Sequence, residues 1–315
     1  MERVKYSVVI PLYNKAEYIS RTLKSVLAQS YRNFEVIVVD DGSTDNSLKV
    51  VRQITSDKVR VIEQKNQGTA VARNTGIAHS KGEFIAFLDA DDEWKNDYLE
   101  TIDVLTERYP QSDIYVTAYR IIMGKDNYNY SSRLTPGEGC LESYWMTFQY
   151  PYDFVWTSAT VIRKSVILMA GGFKPGERIG QDLDLWARVA RINPKVAYSS
   201  SVCVDYYRNA GQNARTREKI AGAKAFLRDL EEELDNPGHS REELDMIQYK
   251  YDLKMTVYVF TSILAGKKSL AKDVYKRWQG RRKLRTRLLR AGLRIAMIMP
   301  ACVNRFLYKI RLKVF

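Results

Sequence analysis

The sequence predicts an α/β fold: a mostly parallel central sheet flanked by helices, followed by a helical C-terminal extension. Two observations carry this. Short apolar runs rich in β-branched residues alternate with amphipathic segments from Ser7 to Ala118. Continuous apolar strands interleaved with helices mark a parallel sheet covered on both faces. Beyond Tyr207 the pattern turns into long, charged amphipathic segments, which read as helix.

Ser7–Leu12 reads as the first strand, and Ala16–Gln29 as a helix with Tyr18, Ile19, Leu23, Val26 and Leu27 at three- and four-residue spacing. Strands follow at Phe34–Val39, Val59–Ile62, Phe84–Leu88 and Ile114–Ala118. Helices fall between them at Leu48–Ile54, Thr69–Ala78 and Asp97–Arg108, the last stopped by Pro110. From Met123 to Pro151 the pattern dissolves into Asn, Tyr, Ser and Gly and is expected to be irregular. Regular structure resumes over Thr157–Ile167. Arg215–Leu234 is a charged helix broken by Asn236-Pro237-Gly238, and Ser240 with Glu243 forms a capping box for a second long helix towards Leu264. The expected division is a catalytic domain over residues 1–212, a helical extension over 213–265 and a basic tail over 266–315.

Composition narrows the chemistry. Hydrophobic residues make up 45% and charged residues 28%, ordinary for a globular protein. Cys140, Cys203 and Cys302 are widely spaced, which argues against a disulfide framework or structural zinc and fits a reducing compartment. With only His79 and His239, any metal must be a hard cation on oxygen ligands. The net charge of +13 is regional: residues 266–315 hold 16 Lys/Arg against Asp273 alone, leaving −2 for residues 1–265. No signal peptide is visible, and the apolar stretch Ile295–Val303 contains Pro300 and is too short to span a bilayer, which takes roughly 20 residues. A cytoplasmic location is expected.

Ligands of open α/β sheets bind outside the carboxyl ends of the strands. There the sequence puts Asn14, then Asp40-Asp41-Gly42-Ser43-Thr44-Asp45, then Asp89-Ala90-Asp91-Asp92. Carboxylates so crowded repel one another unless a cation neutralises them. A divalent ion shared with a diphosphate would do so, since Mg2+ binds through one or two carboxylates plus substrate phosphates. Each cluster also has a plainer reading, as a turn and helix cap or as a solvated loop.

Five segments, in order and spacing, resemble family 2 glycosyltransferases. They are Ser7–Lys15 (SVVIPLYNK), Val36–Asp45 (VIVVDDGSTD), Asn66–Gly76 (NQGTAVARNTG), Phe84–Trp94 (FIAFLDADDEW), and Gly171-Gly172-Phe173 followed by Gly180–Trp186 (GQDLDLW). The resemblance covers about residues 5–210 and implies the GT-A fold, a nucleotide-sugar donor (a UDP-sugar first) and inversion at the anomeric carbon. It further implies a Mg2+ or Mn2+ cofactor and a glycan or lipid-linked acceptor in cell-surface polysaccharide synthesis. By that resemblance Pro11, Tyr13, Asp40 and Asp41 hold the base and ribose, and Gly68 and Arg73 border the nucleotide. Arg73 could equally be a structural ion-pair partner. Asp89-Ala90-Asp91 matches the Asp-x-Asp motif, with Asp91 on the metal and Asp89 on ribose or metal.

Family members often carry an acidic pair before an apolar-Trp segment. Here it reads Gln181-Asp182, so Asp182 is the candidate general base and Asp184 the fallback. Against this, Asp182 could simply be an acid favoured at a helix N-terminus. Trp186 and Trp156 are candidate acceptor contacts, the latter within an aromatic run from Tyr144 to Trp156 that could instead be core. In the tail, Arg281, Arg282, Lys283, Arg285, Arg287, Arg290 and Arg294 alternate with Leu284, Leu288, Leu289, Leu293 and Ile295. A basic amphipathic helix of this kind could lie on the anionic inner face of the cell membrane, or pack on the protein itself or on a second subunit in a homo-oligomer. A sugar nucleotidyltransferase would be expected to open with a Gly-rich phosphate loop, which Pro11–Lys15 lacks. A nucleic-acid-binding protein would leave the acidic edge unexplained, so no nucleic-acid partner is expected.

Overall fold

A computed structural model describes residues 4–54, 56–123, 126–128, 137–150, 153–208 and 223–278. The first elements in chain order are β1 (Tyr6–Leu12), α1 (Ile19–Leu27), β2 (Phe34–Asp40), α2 (Ser47–Arg52), β3 (Val59–Glu63), α3 (Thr69–His79), β4 (Phe84–Phe87) and β5 (Glu93–Trp94). They continue with α4 (Tyr98–Arg108), β6 (Ile114–Met123), β7 (Asp126–Tyr128), β8 (Glu138–Leu141), β9 (Thr160–Arg163), α5 (Lys164–Met169), α6 (Gln181–Ile192) and β10 (Val196–Tyr207). Three helices follow: α7 (Lys224–Leu234), α8 (Arg241–Leu264) and α9 (Lys268–Arg277).

The strands form one mixed sheet in the order β3-β2-β1-β4-β9-β6-β10-β5, with β7 beside β6 and β8 beside β10. β3, β2, β1 and β4 are mutually parallel. Register pairs Leu12 with Asp40 and Val9 with Phe87, so β1, β2 and β4 finish at one edge of the sheet. β9 enters antiparallel between β4 and β6, and β10 runs parallel to β6. Val8–Ile10, Val36–Val39 and Ile85–Phe87 are fully buried, as strands covered on both faces must be. On one side α3 packs so closely that a Cβ on Gly76 would lie 2.4 Å from Val9 Cγ1, which is why this helix carries a glycine at its contact.

Three departures from the sequence reading are local. α1 starts at Ile19 rather than Ala16, and the chain before it is fastened to the loop after β2, with the N–H groups of Asn14, Lys15 and Ala16 donating to Ser43, Ser47 and Asp45. The 123–151 stretch is not wholly irregular: β7 and β8 add to β6 and β10, and Tyr144–Gln149 forms a 3-10 turn. β10 was illegible because Ser199-Ser200-Ser201 interrupts its apolar run, where the register with β6 shifts.

The chain divides into two compact units: residues 1–176 with 181–211, and residues 177–180 with those from 212 on. In the second unit the capping box forms. Glu243 N–H donates to Ser240 Oγ at 3.2 Å and Ser240 N–H to Glu243 Oε2 at 2.9 Å. α9 packs on α8, with Trp278 buried and its Nε1–H donating to Asp252 Oδ1 at 2.8 Å. Among the described residues no helix is long and apolar enough to cross a membrane. The basic segment Arg281–Ile295 and residues 215–222 of the predicted charged helix lie outside the described residues.

Candidate active site

The loops after β1 and β2 are fastened together. Asn14 adopts φ +51°, a backbone conformation Asn tolerates better than most residues. This lets its Oδ1 accept from the N–H groups of Thr44 (2.8 Å) and Asp45 (3.3 Å), while its own N–H donates to Ser43 Oγ at 3.1 Å. Pro11 and Tyr13 are half-buried on this edge. Asp40 is buried: Oδ2 accepts from Ser43 N–H at 3.3 Å, and Oδ1 is buried with no hydrogen-bond partner.

Asp41 is differently occupied. Its carboxylate accepts from Gln64 Nε2 (2.7 Å), Gln67 N–H (2.9 Å) and Gly68 N–H (2.8 Å), drawing the 64–68 loop against the end of β2. Its side chain is therefore engaged with the protein at both oxygens. Gly68 sits at φ +91° immediately before α3, a conformation L residues rarely adopt, and the space around its missing Cβ is open.

After β4 the acids meet cations. Arg73, buried in α3, donates from Nη2 to Asp89 Oδ1 at 2.6 Å and lies 5.2 Å from the Phe173 ring. Of the two readings of Arg73, the ion pair is the one formed here. Lys15 Nζ lies 2.5 Å from Asp91 Oδ2. The backbone of this loop is held from α1: Thr22 Oγ1–H lies 3.0 Å from the carbonyl of Ala90 and 2.8 Å from that of Asp92, and Arg21 Nη2 donates to the Asp91 carbonyl at 2.8 Å. Burial pushes the Asp91 carboxyl above its usual range, with Lys15 opposing and Asp89 adding to the shift. Burial, then the neighbouring acids, pushes Asp92 well above that range. Asp92 is structural: it accepts from Ser158 Oγ at 2.5 Å and from Tyr207 N–H at 3.1 Å, tying the loop to the end of β10.

A short turn over Thr157–Ala159 joins this loop to α6. Ser158 Oγ accepts from Asp89 N–H at 3.2 Å as it donates to Asp92. Thr157 Oγ1 donates to Asp182 Oδ2 at 2.9 Å. Asp182 is half-buried in the first turn of α6, where the helix dipole favours a carboxylate. The amide Oε1 of Gln181 is buried without a hydrogen-bond partner. Lys15, Thr157 and Ser158 were not singled out by the sequence, because their partners lie 76, 25 and 66 residues away.

Three expectations are corrected. Trp186 is fully buried between the rings of Phe87 (5.6 Å) and Phe173 (6.1 Å), so it supports the sheet and does not meet an acceptor. Trp156 is 8% exposed and packs on Tyr119 and Tyr206, which makes it core as well. Tyr144, Trp145 and Phe148 likewise form a buried aromatic cluster. Asp184 drops out as a fallback base: it is fully buried between Lys174 (2.7 Å) and Arg188 (2.5 Å). Arg188 in turn binds the carbonyls of Ala170 and Gly172, while Asn74 holds both the N–H and the carbonyl of Phe173. The Gly-Gly-Phe segment is thus a brace beneath the site.

The donor set suits a hard divalent ion. Asp89 and Asp91 offer carboxylate oxygens one residue apart, and no group of three or more His, Cys, Asp or Glu that could hold a metal occurs among the described residues. Two carboxylates with the remaining ligands from phosphate and water is the way Mg2+ is usually held.

Residues 7–168 match the family described as Glycosyl transferase family 2, just over half of the chain. The putative teichuronic acid biosynthesis glycosyltransferase TuaG of Bacillus subtilis (strain 168) is 42% identical over 106 residues, 32% of this chain and 42% of that protein. An uncharacterized glycosyltransferase of Nostoc sp. is 45% identical over 128 residues, and that match, too, spans only 39% of the relative's length. Among solved structures, S. aureus TarS 1–349 in complex with UDP-GlcNAc superposes with a TM-score of 0.68 at 17% identity, covering 93% of this chain and 89% of that one. The mannosyltransferase PcManGT from Pyrobaculum calidifontis, in complex with GDP-Man and Mn2+, superposes with a TM-score of 0.60 at 18% identity, covering 99% and 87%. At these identities the two structures speak for the fold, and the sequence match speaks for the family. The chain belongs to glycosyl transferase family 2 and has the GT-A fold.

Proposed function

We propose that the protein is an inverting glycosyltransferase. It moves a sugar from a nucleoside-diphosphate donor, a UDP-sugar first, to a glycan or lipid-linked acceptor in cell-surface polysaccharide synthesis. One observation carries this reading: the turn at Thr157-Ser158 links the Asp89–Asp92 loop on one side to Asp182 on the other by side-chain hydrogen bonds. Donor-side and base-side acids therefore belong to one hydrogen-bonded unit. TuaG's description supports the polysaccharide setting, UDP-GlcNAc in TarS the donor class, and Mn2+ in PcManGT the cofactor class.

In this reading the unpartnered Oδ1 of Asp40 accepts an N–H of the nucleobase, since a buried acceptor left unpaired is costly without a ligand. Asp41 serves the nucleotide indirectly by fixing the 64–68 loop, where Gly68 leaves room beside the backbone. Arg73 orients Asp89 for the ribose or metal. Asp91, with Asp89, would hold Mg2+ or Mn2+, which as a Lewis acid offsets charge on the departing diphosphate. Asp182 accepts the proton of the acceptor hydroxyl. Thr157 O–H and Leu183 N–H hold one oxygen each and so fix the carboxylate plane, leaving lone pairs for the incoming proton. One displacement by the acceptor oxygen inverts the anomeric carbon, and no sugar-enzyme bond forms. A screen of nucleotide-sugars for transfer or hydrolysis with Mn2+ or Mg2+ tests the reading; no turnover with any donor class would refute it.

We further propose that the basic tail, taken to begin after Trp278 because α9 packs on α8, holds the enzyme on an anionic membrane surface. Residues 1–278 should stay in the supernatant when the full chain sediments with anionic liposomes. Equal sedimentation of both would rule the tail out as the membrane-binding element.

A further inference from the structure

Lys15 stands on a fixed base. Its N–H donates to Ser47 Oγ at 2.7 Å, and its neighbours Asn14 and Ala16 are bonded to Ser43 and Asp45. From there its ammonium reaches Asp91 Oδ2 at 2.5 Å, with both side chains 14% exposed, and lies 5.5 Å from the Tyr18 ring. The other acids of this loop have partners of their own: Asp89 pairs with Arg73, and Asp92 is held by Ser158 and Tyr207. Arg21, the next cation along, touches the carbonyl of Asp91 and not its carboxylate, and its guanidinium lies over the Tyr207 ring at 3.6 Å.

A protein ammonium and a divalent ion cannot both sit on the same carboxylate oxygen. Each repels the other, strongly so in a part-buried site. We infer that Lys15 is a built-in competitor for the metal at Asp91: it neutralises the carboxylate in the donor-free enzyme and keeps its affinity for Mg2+ or Mn2+ low. The inference rests on the assignment of the metal to Asp91. A diphosphate brings in the negative charge that lets both cations remain, so metal and donor load together. The metal's affinity then becomes a property of the enzyme–nucleotide complex, and the coupling is reciprocal.

The test is a Mn2+ titration followed by electron paramagnetic resonance on the full chain, without nucleotide and with UDP. Without nucleotide, Lys15→Met should bind Mn2+ roughly tenfold more tightly than the wild type, the size of one part-buried ion pair removed from the competing state. Lys15→Arg should stay weak, and Arg21→Met should change affinity far less than Lys15→Met. With UDP the gap between wild type and Lys15→Met should narrow. Thermal melting adds a second readout: Mn2+ alone should raise the Tm of Lys15→Met more than that of the wild type. Equal or weaker Mn2+ binding by Lys15→Met overturns the competition, as does an equal gain in Arg21→Met, which would reflect the general field alone. The metal assignment is tested separately by adding Asp91→Asn to Lys15→Met. If Mn2+ binding is unaffected, Asp91 is not the ligand, and the inference falls with it.

Discussion

At the end of β2, Asp41 is held by neutral donors, two backbone N–H groups and one side-chain amide. At the end of β4, Asp89 and Asp91 are held by cations brought in from α3 and from the β1 loop. The two clusters look alike in sequence, yet their wiring differs in a way that suits different tasks. Neutral donors from adjacent chain fix a loop permanently, with no mobile charge to displace. Cation partners balance a charge that another cation can also balance, which leaves the second cluster exchangeable. Asp41 and Asp45 in the first cluster and Asp92 in the second are spent on structure.

The largest effect that would sharpen this division lies outside both clusters. Asp182→Asn should lower kcat by about 10²–10⁴-fold with donor affinity unchanged, read from steady-state transfer and nucleotide titration. Within the first cluster, Asp41→Ala should lower stability by on the order of 2–3 kcal/mol in denaturant unfolding, because three donors lose their acceptor. Asp40→Asn should leave stability nearly unchanged and weaken nucleotide binding. Were the two to behave alike, the separation of structural from ligand-facing acid would be wrong. Thr157→Val should slow transfer up to about tenfold at unchanged donor affinity, with Thr157→Ser restoring it, since one hydrogen bond is at stake. Smallest is Ser240→Ala, which breaks the capping box of α8 and should cost about 1 kcal/mol without altering kcat.

In the parallel half of the sheet, β1, β2 and β4 are legible because they carry unbroken apolar runs whose following turns hold the acids, and β3 through its β-branched Val59, Val61 and Ile62. The rest was hidden for physical reasons. β10 is interrupted by three serines at a register shift, and β7 and β8 are short strands without an apolar alternation. Asp182 and Asp184 look interchangeable on paper, yet residues two apart on a helix face different ways. One takes the hydroxyl of Thr157 and the other is sealed by Lys174 and Arg188. Trp186 differs for another reason: it lies four residues from Asp182, on the same side of the helix, but one turn further in, where its ring is fully buried against Phe87 and Phe173. Asp182 also lies beyond residue 168, where the family match ends, so its assignment leans on the Thr157 contact more than on sequence.

The central proposal is that Asp91 and Asp182 play different parts in one transfer, Asp91 with the metal on the donor side and Asp182 at the acceptor hydroxyl. Equilibrium binding of the active donor with and without Mn2+, measured beside turnover in the wild type, Asp91→Ala and Asp182→Ala, tests it most directly. The account predicts that Asp182→Ala binds donor and Mn2+ like the wild type but does not turn over, whereas Asp91→Ala loses the Mn2+-dependent part of donor binding. Full turnover in Asp182→Ala, or intact Mn2+-dependent binding in Asp91→Ala, would contradict it.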